Sequence, residues 1–272
     1  MKDKKPIFNF KFQRRYLSIP YLLFMLFFVV LPIFVITYYA FTDKEGHFTF
    51  NNLLNFFNDG TKLNVLTISF VYGIGNTAIC LLIGYPVAFI LASKKWFKNN
   101  GFVMLFIMPM WINFVIRTWA TRDLLTWIGL PGGQYPEIAT MIGLVMNYLP
   151  FVILPLHSTM LKMDKSQVEA AYDLGCNPVQ TFVKVIIPMT MPGIVSAAMM
   201  VFMPTMSSYV ISDILSEGKV TLFGKYIDIL FGQSDWNNGS LLALIMLLLI
   251  GLSVIISKNI GNKGGEEKTN LW

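Results

Sequence analysis

Hydrophobic and polar positions along this chain are segregated into long blocks. Six predominantly apolar windows stand at about 18–41, 65–92, 102–120, 138–161, 185–212 and 240–258. Each approaches or exceeds the roughly 20 residues that a helix needs to cross a bilayer. The windows predict six membrane-spanning helices, with Arg117 near the end of the third. The first apolar run is too long for a signal-peptide core and lacks a small-residue cleavage site, so it reads as a retained span. The polar stretches at about 42–64 and 213–239 are long enough to hold short helices of their own. A short basic and aromatic arm, 1–17, precedes the spans, and a polar, glycine-rich tail from Asn259 has too little to bury to be ordered.

One polar block has its own helical punctuation. Ser166 and Glu169 stand at capping-box spacing and predict a helix start. Gly175 can take the left-handed conformation that ends a helix. Asn177-Pro178, with Gln180 at the reciprocal position, then predicts the start of a second helix. A capped helix–turn–helix between two spans is a surface offered to a partner.

Composition supports the membrane reading. Hydrophobic residues make up 55% of the 272 and charged residues only 13%, about half the charged share of a soluble domain. The basic residues are also unevenly placed. With both termini inside, the inner segments carry Lys2, Lys4, Lys5, Lys11, Arg14, Arg15, Lys94, Lys95, Lys98, Lys162, Lys165, Lys184, Lys258, Lys263 and Lys268. The outer loops carry Lys44, Lys62, Arg122, Lys219 and Lys225. That bias follows the positive-inside rule and puts 162–184 in the cytoplasm. It accounts for the positive net charge without a nucleic-acid partner.

Nine prolines lie in the spans: Pro20, Pro32, Pro86, Pro109, Pro150, Pro155, Pro188, Pro192 and Pro204. Each removes a backbone donor, so together they predict kinked helices around a pathway. Gly84, Ala88 and Ala92 recur every four residues and predict a close helix approach. Cys80 within a span and Cys176 outside it are not placed to form a disulfide. No G-x-x-x-x-G-K-[ST] phosphate loop is present, two histidines (His47, His157) are too few for a histidine metal cluster, and no catalytic cluster stands out. His157 reads as a hydrogen-bonded packing residue. The expected protein is non-catalytic, with no metal and no cofactor of its own.

The polar segment also carries a family resemblance. Glu169-Ala170-Ala171, three residues, Gly175, nine residues, then Val185-x-Ile187-Pro188 resembles the EAA signature of ABC-importer permeases. The resemblance implies an all-α integral membrane protein with six transmembrane helices of the type I ABC-importer permease fold and cytoplasmic termini. Its permease domain would span 18–258, with coupling helices at about 164–184 and a cytoplasmic tail at 259–272. Glu169, Ala170, Ala171, Asp173, Gly175 and Pro188 would form the ATPase-coupling element. The implied partners are an ATP-binding subunit dimer carrying ATP and Mg, a second homologous permease, an extracytoplasmic solute-binding protein and the lipid bilayer. The cell membrane of a bacterium is the implied location.

Further stretches are similar to the polyamine (spermidine/putrescine) branch of these permeases. They include Gly84-Tyr-Pro86-x-Ala88, Pro109-x-Trp111-x-Asn113-x-x-Ile116-Arg117, Leu149-Pro-Phe151, Gln180-Thr-Phe182 and Ser212-Asp213. The loop at about 121–137 is shorter than that branch leads one to expect. A polycation would be drawn to the acids of the outer side and to aromatic faces. The candidate path residues are Asp213, Trp111, Asn113, Tyr148, Tyr209 and Asp123, with Asp213 foremost as an acid where a span meets the outer loop. Arg117 opposes a cation unless it pairs with Asp123 or Asp213. Importers of the same architecture for ferric ion, thiamine or an organic anion are the alternative. A secondary transporter would need ion-coupling acids deep in the spans, and almost none are there.

Overall fold

Proline, asparagine and glycine decide where the helices of this chain start and break. The structure, a computed structural model, describes residues 18–93 and 101–266, with side chains through Ser257. In chain order the helices are α1 (Ser18–Ala40), α2 (Asn51–Asn58), α3 (Gly60–Ala92), α4 (Gly101–Trp111), α5 (Phe114–Trp127), α6 (Pro136–Leu161), α7 (Lys165–Asp173), α8 (Pro178–Ser207), α9 (Val210–Leu215), α10 (Phe223–Gly232) and α11 (Trp236–Glu266). Five of them, α1, α3, α6, α8 and α11, are long and apolar enough to cross a membrane. The pair α4 and α5 makes a sixth crossing if it is taken as one span bent by 95°.

The centre of the bundle is built by α3, α6 and α8, which pack on one another. Their shared core includes Cys80, Tyr85 and Ala88 of α3, Val152, Ile153 and Leu156 of α6, and Ala197 and Val201 of α8. The small-residue spacing in α3 does what it predicts. A Cβ added at Gly84 would lie 2.7 Å from Val152 Cγ1, so only glycine allows α6 to come this close. Asn76 of α3 is fully buried and donates to Thr205 Oγ1 of α8 at 2.7 Å. Helix α1 lies outside this core against α11, and of its residues only Ala40 is buried.

Two helices pass through a π turn, Leu26–Val30 in α1 and Phe182–Ile186 in α8. Each ends two residues before a proline, Pro32 or Pro188. A proline ring clashes with the carbonyl four residues back, here Phe28 or Lys184, in the middle of the π turn. The wider turn relieves that clash without ending the helix.

The third window departs from its expected form. A single span over 102–120 is replaced by a break at Ile112-Asn113. Helix α4 tightens to a 3₁₀ turn at Met108–Trp111, and Asn113 then caps α5 by accepting from Val115 N at 2.9 Å. Arg117 closes the break. Its Nη1 donates to Pro109 O at 2.8 Å, its Nε to Asn147 Oδ1 at 2.9 Å, and its Nη2 to Asn147 O at 3.4 Å. The guanidinium is thus a strap between α4, α5 and α6. The pairing with Asp123 or Asp213 that would offset the charge of Arg117 does not occur; backbone and amide oxygens at the break take its protons.

Other boundaries also differ. The fifth span begins at Pro178 and ends at Ser207, with Val210–Leu215 a separate short helix. The second cytoplasmic helix is therefore the first turn of α8, since nothing after Asn177 stops it. Helix α11 continues to Glu266, past the start of the tail expected to be disordered. A helix nucleated in an apolar segment gains one hydrogen bond per residue as it extends. The arm at 1–17 and the end of the tail lie outside the described residues. Cys80 and Cys176 are both free. His157 is buried, and its Nε2 has no hydrogen-bond partner among the described residues.

Two outcomes are expected for the purified protein in detergent. Gly84→Val will lower stability by about 1–3 kcal/mol through overpacking, read as a lower Tm. Gly60→Ala, with nothing within 4 Å of its Cβ, will not. Asn147→Leu will lower stability by about 3 kcal/mol, the upper end for an unsatisfied buried group. Arg117→Lys will not preserve the strap either, because an ammonium lacks the planar fork that reaches both acceptors.

Candidate functional site: the coupling segment and the broken helix

The polar segment folds as a helix–turn–helix, with one change at its start. The N-cap of α7 is Asp164, whose carboxylate accepts from Ser166 N at 3.0 Å. The expected Ser166–Glu169 capping box is not formed. Aspartate reaches the same turn with a full negative charge, which suits the positive end of a helix. Glu169 is left exposed on the flank of α7. There it lines a cavity of about 300 Å³ with Lys165, Val168 and, from the end of α3, Phe89, Ala92 and Ser93.

The turn itself matches expectation. Gly175 has φ +83°. Cys176 N donates to Ala171 O at 3.0 Å and Gly175 N to Tyr172 O at 2.9 Å, the two bonds of a Schellman motif. Asn177 and Gln180 form a complete capping box, with bonds of 2.8 and 3.1 Å. Ala171 is buried, Ala170 and Asp173 are exposed, and Pro188 lies two residues beyond the π turn of α8. The motif fixes an apolar tip: Leu174 is 86% exposed and Val179 71%, with Tyr172 also exposed. Leucine and valine so fully in the open, on a segment held by three caps, form an exposed apolar patch of the kind that marks interaction sites.

A second feature lies at the broken helix. A cavity of about 480 Å³ is lined by Met110, Trp111, Ile112, Asn113, Phe114, Arg117, Asn147, Tyr148, Phe151 and Ile211. It gathers three of the expected path residues, Trp111, Asn113 and Tyr148. Trp111 is 78% exposed, while Tyr148 is half-buried and donates through its hydroxyl to Pro204 O at 3.2 Å. Phe151 also lines an adjoining concavity of about 770 Å³ formed with Met199, Met200, Met203 and Pro204 of α8 and Val254 and Ser257 of α11. The two form one aromatic and thioether face with no carboxylate in its lining.

The other expected path residues are elsewhere. Asp213 is not a buried acid: its carboxylate is 46% exposed and paired with Lys225 Nζ at 3.2 Å. The loop turns Asp213 onto α10, whose lysine already neutralises it. Asp123 is exposed on α5, and Tyr209 is 48% exposed at the start of α9, outside the cavity lining. Nearby acids are similarly engaged, Glu217 with Arg122 at 3.4 Å and Asp228 with Lys225 at 3.9 Å. Asn147 was not anticipated. An asparagine inside an apolar span is the signal that could have found it, since a polar group at that depth requires partners.

Known proteins resemble this chain at both levels. Residues 84–263 match the family model described as "Binding-protein-dependent transport system inner membrane component". The spermidine/putrescine transport system permease protein PotB of Haemophilus influenzae is 33% identical over 271 residues, covering 92% of this chain and 94% of that protein. PotB of Escherichia coli K12 is 31% identical over 250 residues, covering 84% of this chain and 90% of that protein. A chain of a bacterial ABC transporter that imports the acidic polysaccharide alginate has a TM-score of 0.65 at 16% identity, with 90% of this chain and 95% of that one covered. A chain of the alginate transporter in complex with its pentasaccharide-bound periplasmic protein has a TM-score of 0.67 at 14% identity, covering 92% and 93%. These two likenesses bear on the fold: an all-helical ABC-transporter permease architecture. With the coupling signature folded as a capped, exposed element and two thirds of the chain matching the family model, the protein belongs to the binding-protein-dependent transport system inner membrane components.

Proposed function

We propose that this chain is the permease subunit of an ATP-driven importer of spermidine and putrescine in the plasma membrane of a bacterium. The observation that carries the substrate is the likeness to polyamine permeases along nearly the whole chain. The basic residues flanking α7 support placing that end, and both termini, in the cytoplasm. The apolar tip at Tyr172, Leu174 and Val179 then docks on an ATPase subunit, with the carboxylate of Glu169 beside it for a basic partner. ATP and Mg belong to that ATPase dimer; this chain supplies no catalytic group.

The open face from Trp111 to the α8 methionines is the wall of the path. A second, homologous permease closes it, and a solute-binding protein delivers substrate at the opposite end from α7. Ammonium groups meet the aromatic faces of Trp111 and Tyr148 there. A lining without carboxylates holds a polycation weakly, so selection falls to the binding protein and release is easy. Arg117 does not overturn this reading. Three of its nitrogens are committed to backbone and amide oxygens, which makes it a structural strap at the wall and not an anion receptor. Asp213, Asp123 and Tyr209 contribute at most to the outer surface.

Two experiments on the reconstituted importer test this. Glu169→Lys will reduce spermidine uptake by at least about tenfold, the effect of ~1.4 kcal/mol at the docking interface, while the protein stays in the membrane. Normal uptake and substrate-stimulated ATP hydrolysis in that variant would refute the coupling role. Trp111→Ala will lower uptake by about two- to thirtyfold, the range of one cation–π contact, with ATPase docking intact. Stimulation of hydrolysis by an organic anion but not by spermidine would overturn the substrate assignment.

A further inference from the structure

Between the docking segment and the bundle core, α8 passes through the π turn Phe182–Ile186. Two contacts of different chemistry tie this turn to α3. At its first residue, the Phe182 ring stands edge-on to Tyr85 at 5.6 Å and 90°, and to Phe89 at 5.7 Å and 85°. Beyond its last residue, Tyr85 Oη and Thr190 Oγ1 are 2.7 Å apart, and both side chains are buried. The direction of that bond follows from the remaining partners. Thr190 Oγ1 donates to Ile186 O at 2.8 Å, with Ile187 O next at 3.1 Å. A hydroxyl has one proton, so the Tyr85 phenol donates to Thr190. The resulting chain runs from the Tyr85 hydroxyl through Thr190 to the carbonyl at the end of the π turn.

A continuous α-helix from Pro178 to Ser207 would carry a displacement of its first turn straight along its own axis. A π turn placed before Pro188 is a weak point of that rod, and it lies nearer to α7 than Pro192 and Pro204 further along the helix. A displacement of α7 and the first turn of α8 would meet this turn, at 182–186, before it reached the rest of the helix. Phe182 sits on the moving side of this joint, between two aromatic rings of α3. Tyr85 is gripped from both sides of the joint, by Phe182 before it and by Thr190 after it. Its neighbour Gly84 is the point of closest approach to Val152 of α6.

We propose that Phe182, Tyr85 and Thr190 are positioning residues that transmit the displacement of the docking segment into α3, with the π turn as the joint. This rests on the coupling role proposed for α7. It adds that the signal leaves α8 sideways, through an aromatic wedge and one hydrogen bond, before reaching the path.

The test uses the complete importer in proteoliposomes, with the ATPase, the second permease and the binding protein present. Spermidine uptake and ATP hydrolysis are measured together. Tyr85→Phe keeps the ring and deletes the donor; Phe182→Leu keeps an apolar side chain and deletes the wedge. Tyr85→Phe is expected to lower spermidine moved per ATP hydrolysed by about fivefold, the factor carried by one ordinary hydrogen bond, while hydrolysis persists. Adding Thr190→Val to Tyr85→Phe is expected to make the ratio no worse, since both remove the same link. An unchanged ratio in both single variants overturns the proposal, as does a parallel fall of uptake and hydrolysis in Tyr85→Phe. Glu169→Lys run alongside separates the two readings. If it leaves both uptake and substrate-stimulated hydrolysis normal, the coupling role of α7 fails; if it impairs them while Tyr85→Phe and Phe182→Leu leave the ratio unchanged, only the transmission route fails.

Discussion

A backbone carbonyl that loses its helix donor inside a bilayer has no water to replace it. The irregular points of this protein are arranged around that shortage. At the end of α1, Asn52 Nδ2 takes Ala40 O and Thr42 O, and Asn237 Nδ2 takes Tyr39 O and Thr42 O. At the end of α8, Pro204 O is one of the last four carbonyls, which have no intrahelical donor, and the Tyr148 and Ser207 hydroxyls supply it. At the broken helix, the guanidinium of Arg117 takes Pro109 O. The amide of Phe223, at the start of α10, is met by the buried Ser69 hydroxyl at 2.7 Å. Where proline crowds a carbonyl without ending the helix, a π turn widens the backbone to make room.

These repairs also place the features proposed to carry function. Repairing the break between α4 and α5 holds Trp111 and Asn113 open beside Tyr148, because Arg117 fastens α4 and α5 to Asn147 of α6. The repair at the end of α8 turns the Tyr148 ring toward the same cavity. The π turn of α8 lies between the docking tip and the core, next to the two aromatic rings of α3. A bundle of straight helices with intact ladders would need none of these side chains, and it would have neither the cavity nor the joint.

How much was legible differs between the two candidate sites. The helix–turn–helix around Gly175 was readable nearly residue by residue, since its signals are local: Gly175 for the left-handed turn, and Asn177 with Gln180 for the second cap. Only its first cap was misplaced, because Asp164 and Ser166 both suit that role and the charged group two residues earlier takes it. Of the candidate path residues, only some come together in one cavity. Trp111, Asn113 and Tyr148 were brought together, but Asp213 was drawn to Lys225, and Asp123 and Tyr209 stayed outside the lining. An acid at the end of a span looks buried along the chain. Whether it is buried depends on how the following loop turns, and that loop places α10 and its lysine against it.

The sequence by itself determined the membrane class, the spans at 18–41, 65–92, 138–161, 185–212 and 240–258 to within a turn or two at most ends, the close approach at Gly84 and the left-handed turn at Gly175. Apolar runs, four-residue spacings and caps all act between residues adjacent in the chain or on one helix face, so the chain records them directly. Tertiary structure alone decided the 95° bend between α4 and α5, the partners of Arg117, the neutralisation of Asp213 and the bond between Tyr85 and Thr190. Those partners stand 30 residues apart for Arg117 and Asn147, and 105 for Tyr85 and Thr190. A guanidinium or a phenol seeks any acceptor within a few ångströms, and only the packing of α3, α5, α6 and α8 sets which one is there.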